Sequence, residues 1–91
     1  MTEDRYNEIV ETVIRWIESE DKKNQDFFIN EDPGNLIRFH HNLGRSIRNE
    51  FNLWNEKWTP DIQEGVDMSP QHPDALSMRI IHEVHERLNN E

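Results

Sequence analysis

Cysteine is absent from these 91 residues. Disulfide staples, thiolate zinc sites and thiol nucleophiles are therefore excluded, and the chain suits a reducing compartment. Glycine occurs three times, at isolated positions, which leaves no Gly-rich loop to cradle a phosphate. Ser46, Ser69 and Ser77 lack the glycine-flanked turn of a hydrolase nucleophile elbow. No catalytic residue is nominated, and the chain is expected not to be an enzyme. Basic side chains are scarce, ten against 19 acids for a net charge of −9. Proteins that grip duplex nucleic acid neutralise phosphates with lysine and arginine, so direct duplex binding is not expected. No apolar run approaches the ~20 residues that span a bilayer. The opening Met1-Thr2-Glu3-Asp4-Arg5 is acidic, unlike a secretory leader, and the expected location is the cytoplasm.

What is present is a polar chain with mean hydropathy of −1.02, a third of it hydrophobic (33%) and a third charged (32%). Its size is that of one domain, and residues 1–91 are read as a single helical domain. The charge is uneven: residues 1–32 sum to −6, residues 33–58 to +2 and residues 59–91 to −5. Ion pairing of a mildly basic middle with two acidic flanks is the plain explanation.

The periodicity predicts an all-α fold, a small bundle of three main helices at about 3–19, 35–51 and 74–89 with irregular connections. In the first, Tyr6, Ile9, Val10, Val13, Ile14 and Ile17 recur every three or four residues, which places them on one helical face. Thr2 is the expected N-cap, with Glu3 and Asp4 complementing the helix dipole. Residues 19–24 contain nothing apolar and read as a solvated helix end or loop. Phe27-Phe28-Ile29 is too short to type and is closed by the turn signal Asp32-Pro33-Gly34.

In the second helix Leu36, Phe39, His40, Leu43, Ile47 and Phe51 form the apolar stripe, opposite Arg38, His41, Asn42, Arg45 and Arg48. Gly44 within it marks a close approach by another group, because glycine costs ~1 kcal/mol there relative to alanine. Asn52 is the expected left-handed cap. Thr59-Pro60-Asp61 reads as the start of a short helix near 60–64, limited by Gly65. The last helix carries Ser77, Met78, Ile81, Val84, His85 and Leu88 on one face and Leu76 and Ile80 on another, so it is expected to touch two neighbours.

The run Phe39-His40-His41-Asn42-Leu43-Gly44-Arg45-Ser46-Ile47-Arg48-Asn49, then Leu53-Trp54, then His72-Pro73-Asp74 with Ser77 close behind, resembles an uncharacterised family of small helical domains in bacterial and phage proteins. That family's pattern is F-H-x-x-L-G-x-x-I-R-N, L-W and H-P-D. The resemblance spans roughly residues 35–88 and implies a helical domain in a bacterium or phage, with no reaction attached. His72-Pro73-Asp74 is also the tripeptide of J-domain co-chaperones. There it follows a basic helix; here it follows Met68-Ser69-Pro70-Gln71 and reads as a helix start. His82 and His85 lie one turn apart, a spacing that can share a metal ion. With His85 on the apolar stripe, they read instead as one packed and one exposed imidazole, and no metal or cofactor is expected.

Two functional expectations follow. The first is a small acidic, non-enzymatic binding protein, an inhibitor or regulator from a phage or bacterium. It would engage a basic protein surface through Glu8, Glu11, Glu18, Glu20 and Asp21. The second is a small-ligand or nucleotide site in which Arg38, Arg45 and Arg48, spaced by seven and three, present guanidinium groups to an anion. His40, Asn49, Trp54, His72 and Asp74, together with Arg48, are expected to be a structural framework rather than an active site.

Overall fold

A computed structural model describes residues 1–90, so Glu91, the end of the expected domain, lies outside the described residues. The chain is mostly helical with one very small sheet, and its centre is the last helix. Helix α1 spans Glu3–Glu18, with the Thr2 side chain accepting the Arg5 N–H as its cap. The predicted stripe buries Ile9, Val10, Val13 and Ile17. Trp16, at the stripe's edge, stacks on Phe51 with centroids 5.5 Å apart.

The polar stretch after α1 is not a loop. Helix α2 runs Lys22–Ile29, started by the Asp21 side chain, which accepts the Asn24 N–H. It buries only Phe28, so most of it shows no apolar periodicity. An N-cap and a Lys22–Asp26 pair at 3.2 Å support what hydropathy could not announce.

The expected helix 35–51 is broken in two. Pro33–Phe39 is a 3-10 helix, capped by Asp32 accepting the Gly34 N–H, and helix α3 is Leu43–Glu50. Between them Asn42 leaves helical geometry at φ −99° and ψ −82°. The cause is on the inner side of the break: the His40 carbonyl, which a continuous α-helix would offer to residue 44, instead accepts the Arg48 Nη2 at 3.2 Å. Asn52 is left-handed as expected, at φ 51°, and Leu53 behind it is buried within the short 3-10 turn Leu53–Asn55.

The short helix expected near 60–64 is a hairpin instead. Strands β1 (Ile62–Gln63) and β2 (Val66–Asp67) pair antiparallel, and Glu64 and Gly65 both take positive φ between them. Two consecutive positive φ values make the two-residue turn that hairpins favour, and they are incompatible with a helix. Pro60 therefore enters a strand rather than a helix.

Helix α4 spans Pro73–Asn89 and packs on α1, α2, α3 and the Pro33–Phe39 turn. This is more than the two neighbours expected, and it explains why Leu76, Ser77, Ile80, Ile81, Val84 and His85 are all buried. Three α-helices and a 3-10 segment thus surround α4. Among the described residues no helix is long and apolar enough to cross a membrane.

Candidate functional site

Helix α3 turns Gly44, Ile47 and Arg48 inward, the i, i+3, i+4 pattern of one face. Arg48 is an arginine in an apolar position, 8% exposed. A buried guanidinium is tolerable only with its donors satisfied. Here Nη1 donates to Ser77 Oγ at 2.9 Å, Nη2 to the His40 carbonyl at 3.2 Å, and Nε lies 3.6 Å from Asp74 Oδ1. Ser77 Oγ in turn donates to the Asp74 carbonyl at 3.0 Å. The group that comes close to Gly44 is this same guanidinium: a Cβ at 44 would stand 2.9 Å from Arg48 Nη1. Arg48 thereby ties α3, the break before it and the first turn of α4 together.

His72 opens α4. Its Nδ1 accepts the Asp74 N–H at 3.1 Å, which leaves Nε2 as the protonated nitrogen of the neutral ring. Trp54 and Trp58 meet the His72 ring edge-on, at centroid separations of 5.3 and 5.6 Å. Trp58 Nε1 donates to Asp67 Oδ2 at 3.0 Å, and Asp67 Oδ1 accepts the N–H groups of Asp61 and Ser69. These donors hold the Asp67 carboxyl below the usual carboxylate range, the Trp58 bond foremost.

The expected framework therefore divides. Arg48, Asp74 and the His40 backbone meet at one node, while His72 serves α4 as its cap. His40 Nδ1 is buried and has no hydrogen-bond partner among the described residues. Trp54 is 52% exposed rather than core, because Leu53 takes the buried position at that turn. Asn49 points outward from α3 and joins neither group. Gly44 marks a close approach as expected, whereas Ser77, Trp58 and Asp67 complete these contacts without having been singled out by charge or spacing. For Ser77, the serine of the H-P-D-x-x-S run was the available signal.

The three arginines do not form a stripe. Arg38 sits on the 3-10 helix, where it pairs with Glu31 at 2.6 Å and covers the Phe27 ring, and its bond keeps the Glu31 carboxyl below the usual range. Arg48 is buried, and Arg45, exposed and in no ion pair among the described residues, lies beside a hollow of about 590 Å³ lined by Phe27, Phe28, Phe39, His41 and Glu20. The break at 40–42 destroyed the helical spacing on which the stripe depended.

The five nominated acids lie on α1 and its junction with α2, and all are exposed. Glu8, Glu11, Glu18, Glu20 and Asp21 enter no ion pair among the described residues, whereas Arg5, Lys22, Arg38, Arg48 and Arg87 are all engaged with other carboxylates. His82 is exposed, and His85 is buried with Nε2 donating to the Glu31 carbonyl at 2.9 Å.

A family model described as a domain of unknown function, DUF6794, matches residues 7–88. The match takes in α1 from Asn7 onward, which lay outside the stretch 35–88 that carried the motif. No curated protein matches this chain, and no solved structure does.

Proposed function

The chain belongs to the DUF6794 family, and from that premise we propose that it is a small acidic binding protein without catalysis of its own. It engages a basic surface of a protein partner as an inhibitor or regulator, in the cytoplasm of a bacterial cell or a phage-infected host. The observation that carries this reading is the division of charge. Half of the ten basic residues are held in internal ion pairs, while Glu8, Glu11, Glu18, Glu20 and Asp21 stand exposed and, among the described residues, in no ion pair. Solubility alone would be served by acids spread anywhere. Arg15 shares this side of α1, and the excess of carboxylates over it leaves a net negative field, which speeds encounter with an oppositely charged partner by about 10–10³-fold and weakens as salt rises.

The test uses the full chain as bait in extracts of its source cell, beside the variant Glu8→Lys/Glu11→Lys/Glu18→Lys, which touches no buried group. The expected partner is retained at low salt, released at high salt and not captured by the reversed-charge variant. A partner held equally by both chains at high salt would overturn the electrostatic reading.

A further inference from the structure

We propose that the trough between helix α3 and the corner where α1 meets α2 is a docking site for an amphipathic helix of a protein partner, its apolar stripe flanked by lysine or arginine and, at one end, by a carboxylate. The proposal deepens the reading above by naming the partner's segment, and it rests on that reading only for the partner's mainly basic character.

The trough follows from what the fold leaves unpacked. Helices α1 and α2 pack on α4 and on each other, and α3 packs on α4 and the Leu53–Asn55 turn, but α3 makes no comparable contact with α1 or α2. Aromatic pairs bridge the gap at its two ends. Trp16 of α1 stacks on Phe51 behind α3 at 5.5 Å, and Phe28 of α2 meets Phe39 at 5.1 Å. Between these pairs lie two hollows of about 530 and 590 Å³, which share Ile17, Glu20, Leu43 and Ser46 and so form one trough. It runs beside α3, whose eight residues measure about 12 Å, roughly two turns of helix.

Its floor is apolar and still wet. Trp16, Phe39 and Leu43 are only half-buried, and Phe27 is 55% exposed. Phe27 is nevertheless held, edge-on to Phe39 at 5.9 Å and with the Arg38 guanidinium 5.1 Å from its ring centroid. Fixed aromatic rings lose little motion on binding, which makes them good anchors.

The walls and the charges together select the occupant. The walls are helical, with backbone groups bonded inside each helix, so an added strand finds no edge to pair with. Side chains set between helical ridges receive a further helix instead. Glu50 lines the Trp16 end, Arg45 lines the Phe27–Phe39 end, and Glu20 lines both hollows. None of the three is in an ion pair among the described residues. Two carboxylates and one guanidinium are complemented by cations on the partner beside Glu20 and Glu50 and by an acid beside Arg45. A second copy of the chain fits poorly: it brings another net −9, and the apolar stripes of its two long helices are already buried in its own core.

The experiment pans a library of helix-forming peptides, randomised on one face, against the intact chain and measures the affinity of a selected synthetic peptide by fluorescence anisotropy. Enriched sequences should repeat apolar residues at spacings of three and four, with lysine or arginine beside them and an acid toward one end. Phe27→Ala should weaken the peptide by about tenfold or more. Panning on Arg45→Glu should exchange the enriched acid for lysine or arginine, a change that loss of structure would not produce. Both positions are exposed, and circular dichroism should be unchanged in both variants. The proposal is overturned by no enrichment, by enriched sequences without that spacing, by affinity kept within about twofold in Phe27→Ala, or by the acid persisting on Arg45→Glu. It is also overturned by a dimer in sedimentation that Phe27→Ala abolishes, since the occupant is then a second copy. The reversed-charge α1 variant keeps the two readings apart. A peptide that binds it normally and is lost with Phe27→Ala supports the trough, whether or not the partner captured from extracts proves salt-sensitive. A peptide lost with the α1 variant and retained by Phe27→Ala overturns the trough and leaves the acidic surface of α1 as the site.

Discussion

Gly44 and Arg48 occupy one volume, and a double-mutant cycle measures it. In an exposed helix, Gly→Ala gains about 1 kcal/mol of helix propensity. At position 44 the new methyl would stand 2.9 Å from Arg48 Nη1, too close for any real contact. The guanidinium must withdraw, and with it goes the charged hydrogen bond to Ser77, worth about 1.5–3 kcal/mol. Gly44→Ala should therefore destabilise the protein by about 0.5–2 kcal/mol net. In an Arg48→Ala background the obstacle is gone. The remaining neighbours of a Cβ, the Phe39 carbonyl at 3.5 Å and Ile81 Cδ1 at 3.7 Å, are ordinary contacts, and the same substitution should stabilise by about 1 kcal/mol. Breaking a buried ion pair costs about 3–5 kcal/mol, but the Asp74 side chain is 51% exposed and water takes over part of the loss. Arg48→Ala should cost about 2–3 kcal/mol, which a domain of this size survives when its stability is about 5–14 kcal/mol. Urea denaturation of the four proteins gives the coupling directly. Equal effects of Gly44→Ala in both backgrounds would refute the assignment of Arg48 as the group that glycine accommodates.

Three further outcomes are expected. Leu53→Ala should cost about 2–5 kcal/mol, since Leu53 is fully buried, while its neighbour Trp54→Ala should cost about 1 kcal/mol or less; reversal of that order in thermal unfolding would place the wrong residue in the core. Asp67 has a folded pKa held low by Trp58, so its contribution is present above the ordinary carboxylate range and is lost as pH falls through the depressed value. Fluorescence of Trp58, isolated by comparison with Trp58→Phe, should stay constant through the ordinary range and change only at more acidic pH, and Asp67→Asn should abolish the step. Glu64 at φ 52° holds a position that prefers asparagine before glycine, and Glu64→Asn should slow amide exchange at Met68; unchanged exchange would count against the two-residue turn.

The two long amphipathic helices were legible because each buries a continuous stripe. Ile9, Val10, Val13 and Ile17 needed no tertiary knowledge to be placed on one side of α1. Helix α2 was not legible, because Phe28 alone reaches the core and its capping residue Asp21 reads equally well as loop. The stretch 35–51 misled for a specific reason. Leu36 and Ile47 are both buried, as one stripe would require, yet a 3-10 turn of three residues per turn precedes the α-turns, so equal spacing in sequence did not mean equal direction in space. Arg48 was misplaced with it: charge put it on the solvent side, and its burial depends on the Ser77 hydroxyl, the His40 carbonyl and the nearby Asp74 carboxylate. Pro60 after Thr59 imitated a helix start, while the stronger punctuation, Gly65 between Ile62 and Val66, belonged to a hairpin too exposed to show alternating burial.

The partnership of α1 with α4 also has a consequence in time. Tyr6 Oη donates to the Arg79 carbonyl at 3.3 Å and Arg87 Nη2 to Asn7 Oδ1 at 3.1 Å, so the stripe of the first helix is covered by the last. All of residues 19–72 lie between them, and closing a segment of that length costs about 3–4 kcal/mol of chain entropy before any of that burial is gained. During synthesis Ile9, Val10 and Val13 lack their main cover until residues 73–89 have left the ribosome. Folding is then a late, single event, slower than in a bundle whose neighbours in sequence are neighbours in space. A nascent chain halted at the hairpin has its acidic outer face complete and its apolar inner face open, the combination that chaperones and proteases act upon.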